Sequence, residues 1–269
     1  MAYTGTGTQS DPYLVDNWTD FRTLCVRYGT YITLPADAPD KVLDAAGDVL
    51  PSQSDFYLRA NITGNGWRIR NLFLGNYAVR LTNNHIDNLH FENLACHYNA
   101  FRDGAAFTNC SFSIAMTGAA QFISGSSIGY AVFENCRFSI AMLHTRTAAL
   151  FEQVTALSGC TIALHGSTAG MELVNVGALT DCHICGSLTL EDGTLSLNNT
   201  AGNCVYTLAV AGEGAVLAET NCTLPQLVDV SLLADGLTVS ISGQNWHGLT
   251  TAHLQDAAYL QDVIGFPEN

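Results

Sequence analysis

The chain has 269 residues, 48% of them hydrophobic and only 13% charged, which excludes a disordered polypeptide. The formal net charge is −14, Lys41 is the single lysine, and the sequence holds no run of basic residues. Nucleic acid and anionic membrane surfaces are therefore excluded as partners, because both require clustered cations.

In chain order, Gly5-Thr-Gly-Thr-Gln-Ser-Asp-Pro12 reads as an extended entry segment with turns at its glycines. Asp16 and Asn17 are N-cap candidates for a short helix that carries Phe21, Leu24, Cys25 and Tyr28 at helical spacing and stops at Gly29. Such a helix would cover the open end of a repeat structure. Residues 35–55 hold three prolines and several aspartates and read as a loop or insertion.

From Phe56 onward the chain repeats itself. Phe107-Thr-Asn-Cys110-Ser-Phe112-Ser-Ile-Ala-Met116 returns as Phe133-Glu-Asn-Cys136-Arg-Phe138-Ser-Ile-Ala-Met142. Looser copies centre on Cys160, Cys182, Cys204 and Cys222, and two upstream copies place Leu72 and Leu89 in the cysteine slot. Spacings of 17 to 26 residues mark a solenoid whose units bury their apolar faces only against one another. Cys-x-Phe or Cys-x-Ile has the period of a strand with one buried face. The Asn, Asp or Gly before each slot residue tolerates a bent backbone. Strand, bend and strand, stacked in parallel, give an all-β solenoid: a single parallel β-helix of about 7–10 rungs. The expected organisation is one domain over 1–269. Residues 1–34 form the entry strand and capping helix, 56–245 the rungs, and 246–269 a C-terminal capping helix built on Leu254, Ala257, Ala258 and Leu260.

These apolar-x-Asn-Cys-x-Phe/Ile units resemble those of right-handed parallel β-helix proteins of pectate-lyase-like architecture. They resemble most the β-helical proteins of phage tails and prophages of Gram-positive bacteria. Gly5 to Val15 and Leu254 to Pro267 carry the same resemblance, so that it spans nearly the whole chain. The resemblance implies a non-enzymatic structural or host-recognition part of a virion. It implies as partners other virion proteins, further copies of this chain (a homotrimer) and a host surface glycan. With no basic n-region or apolar h-region at Met1, the chain is expected to be made in the cytoplasm without a signal peptide.

Enzymes of this architecture carry their catalytic groups on the outer faces of neighbouring rungs. Acid–base glycoside hydrolysis needs two carboxylates about 5–9.5 Å apart. Two residues before the slot stand Thr108, Glu134, Ser158, Thr180 and Gly202; one after it stand Ser111, Arg137, Thr161, His183 and Val205. Neither column holds carboxylates on neighbouring rungs, so no catalytic residue is assigned, and a carbohydrate-active enzyme or a non-catalytic glycan-binding adhesin is the alternative. Cys182-His183-x-Cys185 is half a zinc motif without a second half, and alternation sets Cys182 and His183 on opposite faces. His85, His90, His97, His144 and His165 fall at different repeat offsets. No metal or cofactor is expected, and the cysteines are expected to be reduced, stacked core thiols. Tyr77, Tyr98, Phe101 and Tyr130 are the candidate aromatic surface patch, in loops between rungs.

Overall fold

A computed structural model describes residues 3–46, 55–75, 78–97, 99–117, 121–124, 131–145, 149–175 and 177–266. The chain is a parallel β-solenoid of about ten turns, and every pairing between its strands is parallel. At ~4.8 Å per turn the column is roughly 45–50 Å long. Each central turn has three faces. Ala131–Glu134 (first face) is followed by Arg137–Thr145 (second) and Ala149–Glu152 (third), and Val154–Ser158 begins the next turn on the first. First- and second-face strands belong to one 17-stranded sheet, and the third face is a separate 9-stranded sheet.

The bends are built by the residues the repeat placed there. Asn88, Asn109, Asn135, Gly159, Asp181 and Asn203 all have φ between 50° and 62°, in the left-handed region that turns the first face into the second. Beyond each bend, alternate side chains point inward, and in the central turns they stack on identical neighbours. Phe91, Phe112 and Phe138 lie in register, with ring centroids 5.3 and 5.1 Å apart and nearly parallel planes. Phe101, Phe122 and Phe151 close the triangle from the third face against them.

The helix Trp18–Cys25 covers the N-terminal end. Asn17 accepts the Asp20 N–H as its cap, Phe21, Leu24 and Cys25 are buried, and the Cys25 carbonyl accepts the N–H groups of Arg59 and Ala60. Within the expected loop 35–55, of which 47–54 lie outside the described residues, Val42–Asp44 is instead a strand of the column, paired with Arg68–Arg70. Leu43 is its single inward side chain, too short a signal to stand out among prolines.

The C-terminal segment also departs from the expected cap. Trp246–Leu249 is the last second-face strand. The helical turns Thr251–Leu254, Ala257–Tyr259 and Leu260–Ile264 pack with Phe266 against the column's side, over Leu227, Leu249 and Val205. Val205 and Leu227 follow His183 in one outward-facing register column, which turns apolar there and needs a cover. Ala257 and Ala258, expected to seal the end, are exposed. Buried Asp229 ties this segment down, accepting bonds from Thr251 Oγ1 (2.6 Å) and Ser231 Oγ (2.5 Å).

Candidate functional site

The column interior is filled, so chemistry is confined to outward positions. The cysteine slot faces inward: Cys110, Cys136, Cys160, Cys182 and Cys204 are buried, free of disulfides, and continuous from rung to rung. Each of the first four donates its thiol hydrogen to a carbonyl of the preceding turn: Ile86, Phe107, Phe133 and Leu157, at 3.4–3.6 Å. Bonding with the Cys110 thiol, together with burial, pushes Cys136 up to about 12, and the Cys136 thiol does the same to Cys160. These sulfurs are inert, since the thiolate is the reactive form.

Two slot assignments are corrected by register. Trp67, not Leu72, lies beneath Leu89, and Leu72 belongs to a second bend level with Leu94. The slot bend and the second bend each follow an Asn with positive φ (Asn88 and Asn93 on one turn), so the sequence offered two equivalent frames. Above Cys204 the slot passes to Gln226 and then Trp246. Cys222 reaches back only through its thiol, which donates to Asn199 O at 3.1 Å.

Outward chemistry gathers where the first and second faces meet, in the turns that hold residues 85–92, 106–113 and 132–139. On the first-face side the register column runs Thr33, Thr63, Asp87, Thr108, Glu134, Ser158. His85 Nε2 lies 3.1 Å from Thr108 Oγ1, and Asn109 Nδ2 donates to Asp87 Oδ1 at 3.1 Å. Asp87 and Glu134 stand two rungs apart, a backbone separation of about 9–10 Å. Aligning copies only from Cys110 onward hides this pair. Extending the alignment to the Leu89 copy reveals it.

On the second-face side the column runs Arg68, His90, Ser111, Arg137, Thr161, His183. Arg68 and Arg70 each approach Glu92 at 3.6 Å. His90 Nδ1 is 2.9 Å from Ser111 Oγ. Burial holds the His90 imidazole below its ordinary value, Glu92 opposes this and Arg68 adds to it, so the ring is neutral at pH 7. Ser111 and His90 have the spacing of a nucleophile and base, but no carboxylate is hydrogen-bonded to His90 among the described residues to orient it. Three residues beyond Arg70, Phe73 projects outward with 72% of its surface exposed. Its register neighbours on successive turns are Ala95, Ala115 and Ala141.

Of the expected aromatic patch only Phe101 lies among the described residues, and it is not at the surface. Phe101 is fully buried among the phenylalanines of the core, because its strand Asn99–Arg102 belongs to the third face rather than to a loop. Tyr77, Tyr98 and Tyr130 lie outside the described residues. Phe73 is the aromatic that sequence reading missed, and alternation after Asn71, with Leu72 and Leu74 buried, marks it as outward. Among the histidines, His183 bonds Thr207 Oγ1 at 2.7 Å on the outside while Cys182 is inside. No group of three or more His, Cys, Asp and Glu able to hold a metal is present among the described residues, and no described helix is long and apolar enough to cross a membrane. A groove of about 470 Å³ lies between Ser187–Thr189, Ala209–Ala211 and Ser231–Ala234, and has no charged lining.

No protein-family profile and no curated protein matches the chain. A solved structure, a candidate immunoglobulin A1 protease from Bacteroides ovatus, aligns over 97% of this chain and 89% of its own length, at 16% identity and a TM-score of 0.47. That likeness carries no argument about activity, and the fold rests on the strand pairing of this chain itself.

Proposed function

We propose that this chain is a non-enzymatic, rigid recognition scaffold, and that it serves as a structural or host-recognition part of a phage or prophage particle. The observation that carries the scaffold reading is the continuous apolar core, stacked like on like through Phe91, Phe112 and Phe138, in which each turn is bonded through its backbone to both neighbours. The particle rests on the resemblance of the repeat units. Outward positions of the central turns are Ser, Thr and Ala beside few carboxylates, a surface suited to contact rather than turnover. The partners in this reading are other virion proteins, further copies of this chain and a host glycan.

Asp87 and Glu134 favour a second reading, an inverting glycoside hydrolase, because two rungs reach the wide end of the separation that leaves room for a water. Incubation with neutral and acidic polysaccharides, followed by reducing-end release and absorbance at 235 nm, decides between them. The scaffold reading expects no turnover. Turnover abolished by Glu134→Gln establishes the hydrolase instead.

A further inference from the structure

Charge is distributed unevenly along the column. All ten Lys and Arg lie at or before Arg146, while twelve of the 24 Asp and Glu follow it. Half the chain is thus close to balanced and the other half is wholly acidic. Within the balanced half, the fold brings Arg68, Arg70 and Arg137 to one face, although 67 residues separate the last two in sequence.

From this arrangement we infer that the second face of these turns is a binding platform for an acidic polysaccharide, whose carboxylate or phosphate groups are held by Arg68, Arg70 and Arg137 while a sugar ring stacks on Phe73. The inference rests on the recognition reading above and names its ligand class.

Three features support it. Among the described residues Glu92 is the carboxylate in ion-pair contact with Arg68 and Arg70, with Asp44 beside Arg70 on the preceding turn; both Glu92 contacts are long, at 3.6 Å, leaving guanidinium donors for a further anion. Arg137 has no ion-pair partner among the described residues, and it stands three rungs from Arg68, roughly 14 Å away. Anionic groups on successive or alternate sugars of one chain can therefore be met together. Between the two ends, Ser111, Ser113 and Ser139 offer hydroxyls on a flat floor lined by Ala95, Ala115 and Ala141. Phe73, exposed at the edge of that floor, supplies an apolar face of sugar-ring size. The acidic remainder of the column repels a polyanion, so such a chain is confined to this half.

Isothermal titration of the full chain with polygalacturonate, with a polyglycerol phosphate, with inorganic phosphate and with neutral dextran tests the inference, at 20 and 200 mM NaCl. Binding of at least one acidic polymer, weakened by salt, is expected, with no comparable binding of dextran. The first two ligands distinguish carboxylate from phosphate recognition, and inorganic phosphate distinguishes a polymer site from a simple anion site. Removing both donors by Arg68→Gln with Arg70→Gln, or removing Arg137 by Arg137→Gln, is expected to weaken binding about tenfold each. Phe73→Ala weakens it severalfold, Glu92→Gln strengthens it, and Arg27→Gln, exposed just past the capping helix, leaves it unchanged, all with unchanged circular dichroism. The inference is overturned if no acidic polymer binds, or if binding is indifferent to the arginine variants. Salt-independent binding of dextran that ignores them overturns it while leaving a recognition role intact. Absence of binding to any glycan overturns both.

Discussion

Asn135 shows how a single residue sets the corner of a turn. Its φ of 52° costs an ordinary L-residue roughly 1–2 kcal/mol, and its side chain leaves only 2.6 Å for a Cβ at Gly159 on the next turn. Asn135→Ala is therefore expected to lower stability by about that amount and Asn135→Gly to leave it nearly unchanged, read from urea midpoints. The thiols permit a second prediction at this scale. Eight of the nine cysteines are buried and Cys185 is half-exposed on the outer face. With native protein at pH 8, Ellman's reagent should titrate Cys185 alone, and all nine in guanidinium. Rapid reaction of several thiols in the folded state would show that the stack opens.

At the scale of elements, the phenylalanine triangle and the C-terminal cover make separable contributions. Phe138 stacks on Phe112 and meets Phe122 and Phe151 edge-on, so Phe138→Ala leaves a cavity that a parallel ladder cannot collapse around. A loss of about 3–5 kcal/mol in denaturant unfolding is expected. The C-terminal helical turns cover Leu227, Leu249 and Val205 without contributing a rung. Removing residues 251–269 should leave the β-sheet circular dichroism in place while exposing an apolar stripe, seen as increased binding of a hydrophobic dye. Loss of the β-sheet signal would show that the cover is instead required for the column to fold.

For the whole molecule, pH acts through several groups of one sign. Burial pushes His183 and His247 below the ordinary imidazole value, as it does His90, so the folded state disfavours their protonation. Stability from these groups is complete above about pH 6.5 and is lost as pH falls from there toward their lower folded values. Asp55 adds a later loss. Burial would raise its carboxyl, but the Arg80 bond at 2.7 Å, the Ala78 N–H and Arg102 together hold it below its usual range. Its contribution, present above about pH 4, disappears as pH falls through the depressed value. A melting temperature that declines in two stages, below pH 6.5 and again below pH 4, is the expected outcome. Asp55→Asn should flatten the second stage.

Repeat spacing, the bend residues and the inward period of two are local properties of the chain, and they determined the solenoid, the burial of Cys110 to Cys204 and the N-terminal helix before any coordinate was known. Register is not local. It depends on which of two equivalent Asn bends a strand aligns with, and only the stacked turns decided that Trp67 and Gln226 occupy the slot rather than Leu72 and Cys222. The same holds for the surface. Arg68, Arg70 and Arg137 are isolated charges along the sequence and become one patch only because parallel stacking brings positions about twenty residues apart to within one rung, about 4.8 Å.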